Sequence, residues 1–272
     1  LAGRTPNPCV LCNTHIKWAA LLKRADQLDC EFIATGHYAV MNELYGRRFI
    51  SKGLDTNKDQ SYVLWGLKQE FLKRSIFPIG GFHKPDIRQM AFDRGYEKLS
   101  KKAESYEICF VPDNDYRGFL KRRLPNIENE LDGGLFVNSK GEVLGKHKGY
   151  PFYTGGQRRG LGMACGEPLF VSTIDPETNT VVLGLEHELL RNGMRVKGVN
   201  LMKYAELKPD MEALTKIRYK DDGALATLNQ VGDDVFVEFH ANVKGIAPGQ
   251  SAVFYEGNDL LGGGIIQSGS IN

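Results

Sequence analysis

The sequence predicts an α/β unit followed by largely β domains, and three observations carry that fold class. Ile16 to Leu28 places Ile16, Ala19, Ala20, Leu22 and Lys23 at near-helical spacing, and the short run Glu31-Phe32-Ile33-Ala34-Thr35 then ends at Gly36-His37. Helix, strand and glycine turn in that order is α/β grammar. From about Gly133 the texture changes to short β-rich runs, Leu135-Phe136-Val137, Leu169-Phe170-Val171 and Val181-Val182-Leu183, punctuated by glycine, asparagine and aspartate. Further on, Val235 to Phe239 and Ser251 to Tyr255 alternate or nearly alternate, with turns recurring every eight to twelve or so residues, as in a small barrel or sandwich.

Taken in order, residues 1–110 form the expected remnant of the α/β domain, 111–192 a small, mostly β linking domain, and 193–272 the C-terminal β-barrel. The strand ending at Gly36-His37-Tyr38 opens where open α/β sheets place ligands. Residues 61–73 and 84–94 repeat polar and apolar positions at three and four, which predicts two helices separated by the Phe77-Pro78-Ile79-Gly80-Gly81 break, with Asp86 near the start of the second. The chain opens at Leu1 directly into a Gly-Arg-Thr-Pro-Asn-Pro loop and reads as a fragment. Strands absent from it would leave apolar surface exposed near Phe32-Ile33, a face suited to self-association.

With 272 residues, 42% hydrophobic and 25% charged, the chain has enough apolar content for a substantial core. No apolar run approaches the roughly 18 residues of a membrane span, and the start lacks a signal-peptide layout, so the expected setting is cytoplasmic, without a membrane partner. The net charge of +2 is too mild to diagnose nucleic-acid binding. Five cysteines, Cys9, Cys12, Cys30, Cys109 and Cys165, are an odd number spread through a chain too large to need disulfide staples, which favours a reduced compartment and working thiols.

The most informative segment is Thr5-Pro6-Asn7-Pro8-Cys9-Val10-Leu11-Cys12-Asn13, a C-x-x-C read as sitting just before a helix. A thiolate there serves as nucleophile, redox partner or metal ligand. Structural zinc is the bland alternative, but it needs four ligands, and only His15 and Cys30 are at hand to complete the pair. Cys109, between Ile108 and Phe110, taken alone reads as a small core residue. Gly36-His37-Tyr38 combines a close backbone approach with a titratable ring, and Lys58-Asp59-Gln60-Ser61-Tyr62 suits phosphates and base edges or, equally, a helix cap. Three basic clusters, Lys98/Lys101/Lys102, Arg117/Lys121/Arg122/Arg123 and Arg158-Arg159, with aromatic neighbours Tyr116, Phe119 and Tyr153, together favour a polyanionic partner. Arg218-Tyr219 and Pro248-Gly249-Gln250-Ser251 are later candidates, with strand-end structure as the alternative.

Seven ordered blocks give these motifs a common meaning: Gly3-Arg4-Thr5-Pro6-Asn7-Pro8, Leu11-Cys12-Asn13, Ala34 to Tyr38, Asn57 to Tyr62, Ile108-Cys109-Phe110, Gly156 to Gly162 and Pro248 to Tyr255. In that order the chain resembles the bacterial tRNA-specific 2-thiouridylases, or tRNA-uridine 2-sulfurtransferases, over virtually its whole length. The resemblance implies an adenine-nucleotide alpha-hydrolase-like (PP-loop) α/β domain, a linking domain and a C-terminal β-barrel. It also implies that ATP adenylates the carbonyl oxygen of the wobble uridine of tRNA, and that a cysteine persulfide charged by a sulfur-relay donor protein supplies the sulfur. By the same resemblance Cys12 is the nucleophile, Cys109 carries the persulfide, and disulfide formation between two thiols releases the product. Asn7, Pro8 and Cys9 match the segment beside the target base and Gly36 an ATP contact, while His37, Lys58, Asp59, Gln60, Arg218, Tyr219 and Gln250 match tRNA contacts.

Two departures stand out. The family's Ser-Gly-Gly-x-Asp-Ser nucleotide loop appears nowhere in these residues, so the expectation is that the N-terminal segment is lost and that this chain alone neither binds ATP tightly nor thiolates tRNA. Cys9 stands where many members carry aspartate, and Cys9, Cys12 and Cys109 would suit a [4Fe-4S] cluster with one open iron, an alternative to the persulfide relay. Two rival functions remain at this point: a non-catalytic RNA-binding module with structural cysteines, and a zinc-stabilised protein.

Overall fold

The computed structural model describes residues 2–102, 111, 113, 115–163 and 166–269. Its first helix starts earlier than the apolar spacing predicts. Asn7 is the N-cap, its side-chain oxygen accepting from the Val10 amide at 3.4 Å, and Pro8 occupies the first helical position. Asparagine caps well, and proline gives up only an amide that would have no partner there. Helix α1 (Pro8–Leu11) therefore already contains Cys9, passes into a π-helical segment (Cys12–Lys17) and continues as α2 (Trp18–Gln27). The C-x-x-C lies inside the helical stretch, not ahead of it, which corrects the sequence reading.

Strand β1 (Ile33–Ala34) follows, then the hairpin β2 (Ala39–Leu44) and β3 (Arg47–Lys52), closed by Tyr45-Gly46, both at positive φ. The helix expected over 61–73 divides into a 3-10 turn (Ser61–Leu64) and α3 (Gln69–Leu72). Gly66, between them, packs so tightly on Thr14 that a Cβ there would collide with its Oγ1. Strand β4 (Ser75–Ile76) pairs in parallel with β1, Ile33 opposite Ser75, the parallel pairing that α/β grammar requires. Helix α4 (Lys84–Asp93) matches its predicted span; the Asp55 carboxylate accepts from the Lys84 amide at 3.0 Å and caps it from a distant loop. A short α5 (Glu97–Ser100) follows.

The middle of the chain has two helices, α6 (Tyr116–Arg123) and α7 (Ile127–Leu131), and strands β5 (Gly134–Val137), β6 (Val143–His147), β7 (Phe170–Asp175) and β8 (Thr180–Gly184). The sheet order is β6-β5-β8-β7, with β5 and β8 parallel, and its core gathers Phe136, Phe152, Tyr153, Val171, Val181 and Leu183.

Strands β9 (Leu190–Leu201), β10 (Met211–Lys216), β11 (Ala224–Val231), β12 (Asp234–Lys244), β13 (Ser251–Glu256) and β14 (Asp259–Ser268) run in the order β13-β10-β11-β12-β9-β14, and β14 pairs back onto β13. This closes a six-stranded barrel around Val196, Leu228, Val237, Phe254 and Leu261. The α/β plus β class thus holds. The barrel is not isolated from the first unit, however. Hairpin β2–β3 extends its sheet where Ser51 meets Asp259, and Trp18, Leu64 and Leu67 share one core with Val253, Tyr255 and Leu260.

Of the surface expected to be exposed near Phe32-Ile33, Ile33 is buried, at 8% exposure, and only its neighbour is open. Phe32 and Ile76 are 40% and 44% exposed beside the two-stranded β1–β4 sheet. No helix among the described residues is long and apolar enough to cross a membrane.

Candidate functional site

The start of the first helix is held against the barrel by hydrogen bonds to its backbone. The Thr5 amide donates to the Pro248 carbonyl at 2.9 Å and the Gln250 side-chain amide donates to the Thr5 carbonyl at 3.0 Å. Gly249, at φ +91°, lets the chains approach so closely that a Cβ would lie 3.0 Å from both the nitrogen and the oxygen of Thr5. This places Asn7 and Cys9 beside two tyrosines. The ring centroids of Tyr62 and Tyr219 are 5.9 Å apart, Tyr62 donates to the Ser251 carbonyl at 2.9 Å, and Tyr219 donates to the Asp59 carbonyl at 2.9 Å. Burial raises the pKa of both hydroxyls above the usual value, and at Tyr219 Asp59 adds to the rise. Both therefore stay protonated donors at neutral pH.

Asp59 and Gln60 act on their own loop. The Asp59 carboxylate accepts from the Gly53 and Ser61 amides at 3.0 and 3.1 Å and from the Ser61 hydroxyl at 2.8 Å. Gln60 pairs with Tyr38 in both directions, Tyr38 amide to Gln60 side-chain oxygen at 3.0 Å and Gln60 amide to Tyr38 carbonyl at 2.9 Å. The Arg218 guanidinium donates to the Gly155 and Gly245 carbonyls, both at 2.9 Å, so it ties the barrel to the Thr154-to-Gly162 loop. Of the side chains expected to touch RNA, those of His37, Asp59, Gln60, Arg218, Tyr219 and Gln250 have bonds inside the protein. Their surroundings, which no sequence motif reveals, decide how much of each remains for a ligand.

His37 lies in an aromatic corner, 5.5 Å from the Trp18 ring and 6.1 Å from that of Phe77, with its Nδ1 2.9 Å from the Thr35 hydroxyl. Burial, helped by Lys17, lowers its pKa to about 4, so it is neutral at pH 7. Beyond Gly36 opens a cavity of about 560 Å³, also lined by Tyr38, Gln60 and Tyr219. Its cations are Lys58, Lys84, Arg88, Lys102 and Lys220, and no carboxylate is among its described lining residues. A concave surface of one sign concentrates the field on an anion. Sequence reasoning does not single out Lys84, Arg88 or Lys220. The one available signal is the spacing of Lys84 and Arg88, four apart on a single helix face.

The other basic clusters fare differently. Arg117 lies over the Phe152 and Tyr153 rings at 5.9 and 5.6 Å, Arg122 pairs with Asp113 at 3.0 Å and Lys121 with Glu128 at 2.6 Å. That cluster spends most of its charge on the linking domain itself, whereas Lys102 faces the cavity and Arg158 and Arg159 are exposed. Cys9 is exposed and Cys12 half-exposed, neither joined in a disulfide, while Cys109 lies outside the described residues. Among the described residues no group of three His, Cys, Asp or Glu gathers to hold a metal, and Cys30 is taken up in a bond to the Leu28 carbonyl at 3.6 Å. The zinc reading has no support there.

Three domain families match the chain in order: tRNA methyl transferase HUP domain over residues 1–113, tRNA methyl transferase PRC-barrel domain over 117–185, and aminomethyltransferase beta-barrel domain over 191–266. The protein named tRNA-specific 2-thiouridylase MnmA from Cytophaga hutchinsonii is 62% identical over 98% of this chain and 73% of its own length. Proteins of the same name from Amoebophilus asiaticus and Salinibacter ruber are 57% and 56% identical, again over 98% of this chain and over 72% and 70% of theirs. These matches do not bear out the expectation of a lost N-terminal segment. Identity at this level, sustained across α/β unit, linking sheet and barrel alike, means that the chain belongs to the tRNA-specific 2-thiouridylase family of tRNA sulfurtransferases.

Proposed function

We propose that the protein thiolates the wobble uridine of tRNA at C2, using ATP to activate the base and a cysteine persulfide as sulfur source. The observation that carries this reading is the juxtaposition of the Asn7-to-Cys12 helix start, with its two thiols, with the Tyr62–Tyr219 wall and the adjoining basic cavity. A flipped base finds the exposed part of the Tyr219 ring there, backed by the buried Tyr62, and the polyanion to which it is attached finds cations next to it.

In this reading Asn7, Pro8 and Cys9 border the target base. Gly36 offers its backbone to ATP, and Lys84 and Arg88 in the same cavity suit its phosphates. The cavity is open enough for a nucleotide and carries the right sign, so these residues fit that co-substrate. His37, Lys58, Asp59, Gln60, Arg218, Tyr219 and Gln250 belong to the tRNA side, several of them by shaping the surface as well as by contact. Because the Ser-Gly-Gly-x-Asp-Ser loop is absent from these residues, the chain by itself is expected to hold ATP weakly and not to turn over. The setting is a reduced, cytoplasmic one in which thiols persist. Residues 1–110, 111–192 and 193–272 serve as catalytic unit, linking domain and barrel.

Chemically, the C2 oxygen attacks the α-phosphorus of ATP, the bond to the β-phosphate breaks with release of pyrophosphate, and the resulting adenylate turns that oxygen into a leaving group. The terminal sulfur of the Cys109 persulfide attacks C2, the C2–O bond breaks, and AMP departs with the oxygen. The Cys12 thiolate then attacks the Cys109 sulfur, the S–S bond breaks toward the nucleoside, and a Cys12–Cys109 disulfide remains for an external thiol to reduce. The cluster alternative calls on Cys109 together with Cys9 and Cys12, and Cys109 lies outside the described residues. The test is mass spectrometry of tRNA nucleosides after incubation with the protein carrying this chain, ATP and a persulfide donor. The expected product is 2-thiouridine, formed only with ATP; thiolation without ATP, or none with all components, contradicts the proposal.

A further inference from the structure

The helical stretch that carries both cysteines of the C-x-x-C changes pitch at the second of them. The α-helical turn ends at Leu11 and the π-helical segment begins at Cys12. At the end of that segment the Trp18 amide donates to the Asn13 carbonyl five residues back, so the turn holds an extra residue. In an α-helix, positions five apart lie about 140° from each other around the axis and face different sides. The wider turn brings both Asn13 and Trp18 to the buried side. Trp18 is fully buried and its indole N–H donates to the Ser75 hydroxyl at 2.7 Å. Asn13 is 3% exposed and its side-chain amide donates to the Val63 carbonyl at 3.0 Å. Between them, Thr14 abuts Gly66 where no Cβ fits.

The π register is therefore pinned at Asn13, Thr14 and Trp18, and Cys12, one residue before the first of these, is left half-exposed. The partner of Asn13 matters as much as the bond. Val63 belongs to the Ser61–Leu64 turn, in which the Ser61 hydroxyl donates to the Asp59 carboxylate and the Tyr62 ring lies tilted against that of Tyr219. Asn13 thus references the cysteine-bearing segment directly to the wall of the candidate site.

We propose that Asn13 is a positioning residue for Cys12: its bond to the Val63 carbonyl fixes the π-helical register from which the half-exposed thiol is presented. The proposal rests on the reading of Cys12 as nucleophile. Without the bond, a part-buried carbonyl loses its donor and the segment is released toward ordinary α pitch, which turns Cys12 relative to Trp18.

The test compares wild type with Asn13→Ala in two measurements on the protein carrying this chain. Peptide-resolved iodoacetamide labelling follows Cys12 against Cys30 as internal reference; the expected change in their rate ratio is about threefold or more. In thiolation kinetics, kcat is expected to fall about tenfold while KM for tRNA stays within about twofold. An unchanged Cys12 to Cys30 ratio in a folded variant, or an effect on KM alone, overturns the proposal. Should Asn13→Ala not fold, Asn13→Ser, which keeps a polar side chain but is too short to hold the bond to the Val63 carbonyl, is judged by the same two outcomes. Thiolation that survives Cys12→Ser removes the nucleophile reading instead, and leaves the labelling result to decide the positioning role by itself.

Discussion

His37 gives the clearest pH signature at the scale of a residue. Its folded pKa of about 4 lies below the ordinary 6.5 because burial, and then Lys17, disfavour the imidazolium. Between those two values the unfolded chain binds the proton more readily, so the stabilising contribution is fully present above pH 6.5 and is lost as pH falls toward 4. A shift of that size corresponds to at most about 3 kcal/mol. Denaturant unfolding between about pH 4 and pH 7 is expected to show this slope in the wild type and a flatter one in His37→Gln; equal slopes would contradict the assignment. The residue types are legible in sequence, since Gly36-His37-Tyr38 stands out as a ligand-facing loop, but the aromatic corner is not. Trp18 and Phe77 reach His37 only through the fold.

At the scale of an element, the helix start at Asn7-Pro8 positions both cysteines. Replacing Asn7 with alanine removes the side-chain cap on the Val10 amide and is expected to cost about 1 kcal/mol. Thermal or denaturant unfolding checks it, and Asn7→Asp is expected to retain most of the stability because it keeps the accepting oxygen. Helix α4 is legible because its pattern is regular over ten residues, with Pro85 in the first turn. The division of 61–73 is not, because it depends on Gly66 meeting Thr14, a contact between segments far apart in sequence. Apolar periodicity begins only at Ile16, which sets the C-x-x-C ahead of the predicted helix. The Asn7 cap and Pro8 are the better guide to where that helix starts.

For the whole molecule, texture along the sequence separates an α/β unit, a linking sheet and a barrel, yet gives no sign that the first and third share a core. That sharing brings residues from opposite ends of the chain together. Gln250 meets Thr5, Tyr219 meets Asp59, and Tyr62 meets Ser251. The basic cavity likewise combines α4 with the Lys58 loop and Lys220 of the barrel, which is why its charge is invisible in a net of +2. The sulfur-handling reading depends on this assembly, and it turns on the choice between a persulfide relay and a cluster that also needs Cys9.

The most direct measurement is tRNA thiolation, with iron quantified in the same samples, for Cys9→Ser, Cys12→Ser and Cys109→Ser in the protein carrying this chain. The relay predicts that Cys12→Ser and Cys109→Ser each lose activity by about a thousandfold or more, while iron-free Cys9→Ser keeps it within about tenfold. Equal loss in all three variants, together with iron bound to the wild type and absent from each variant, would contradict it.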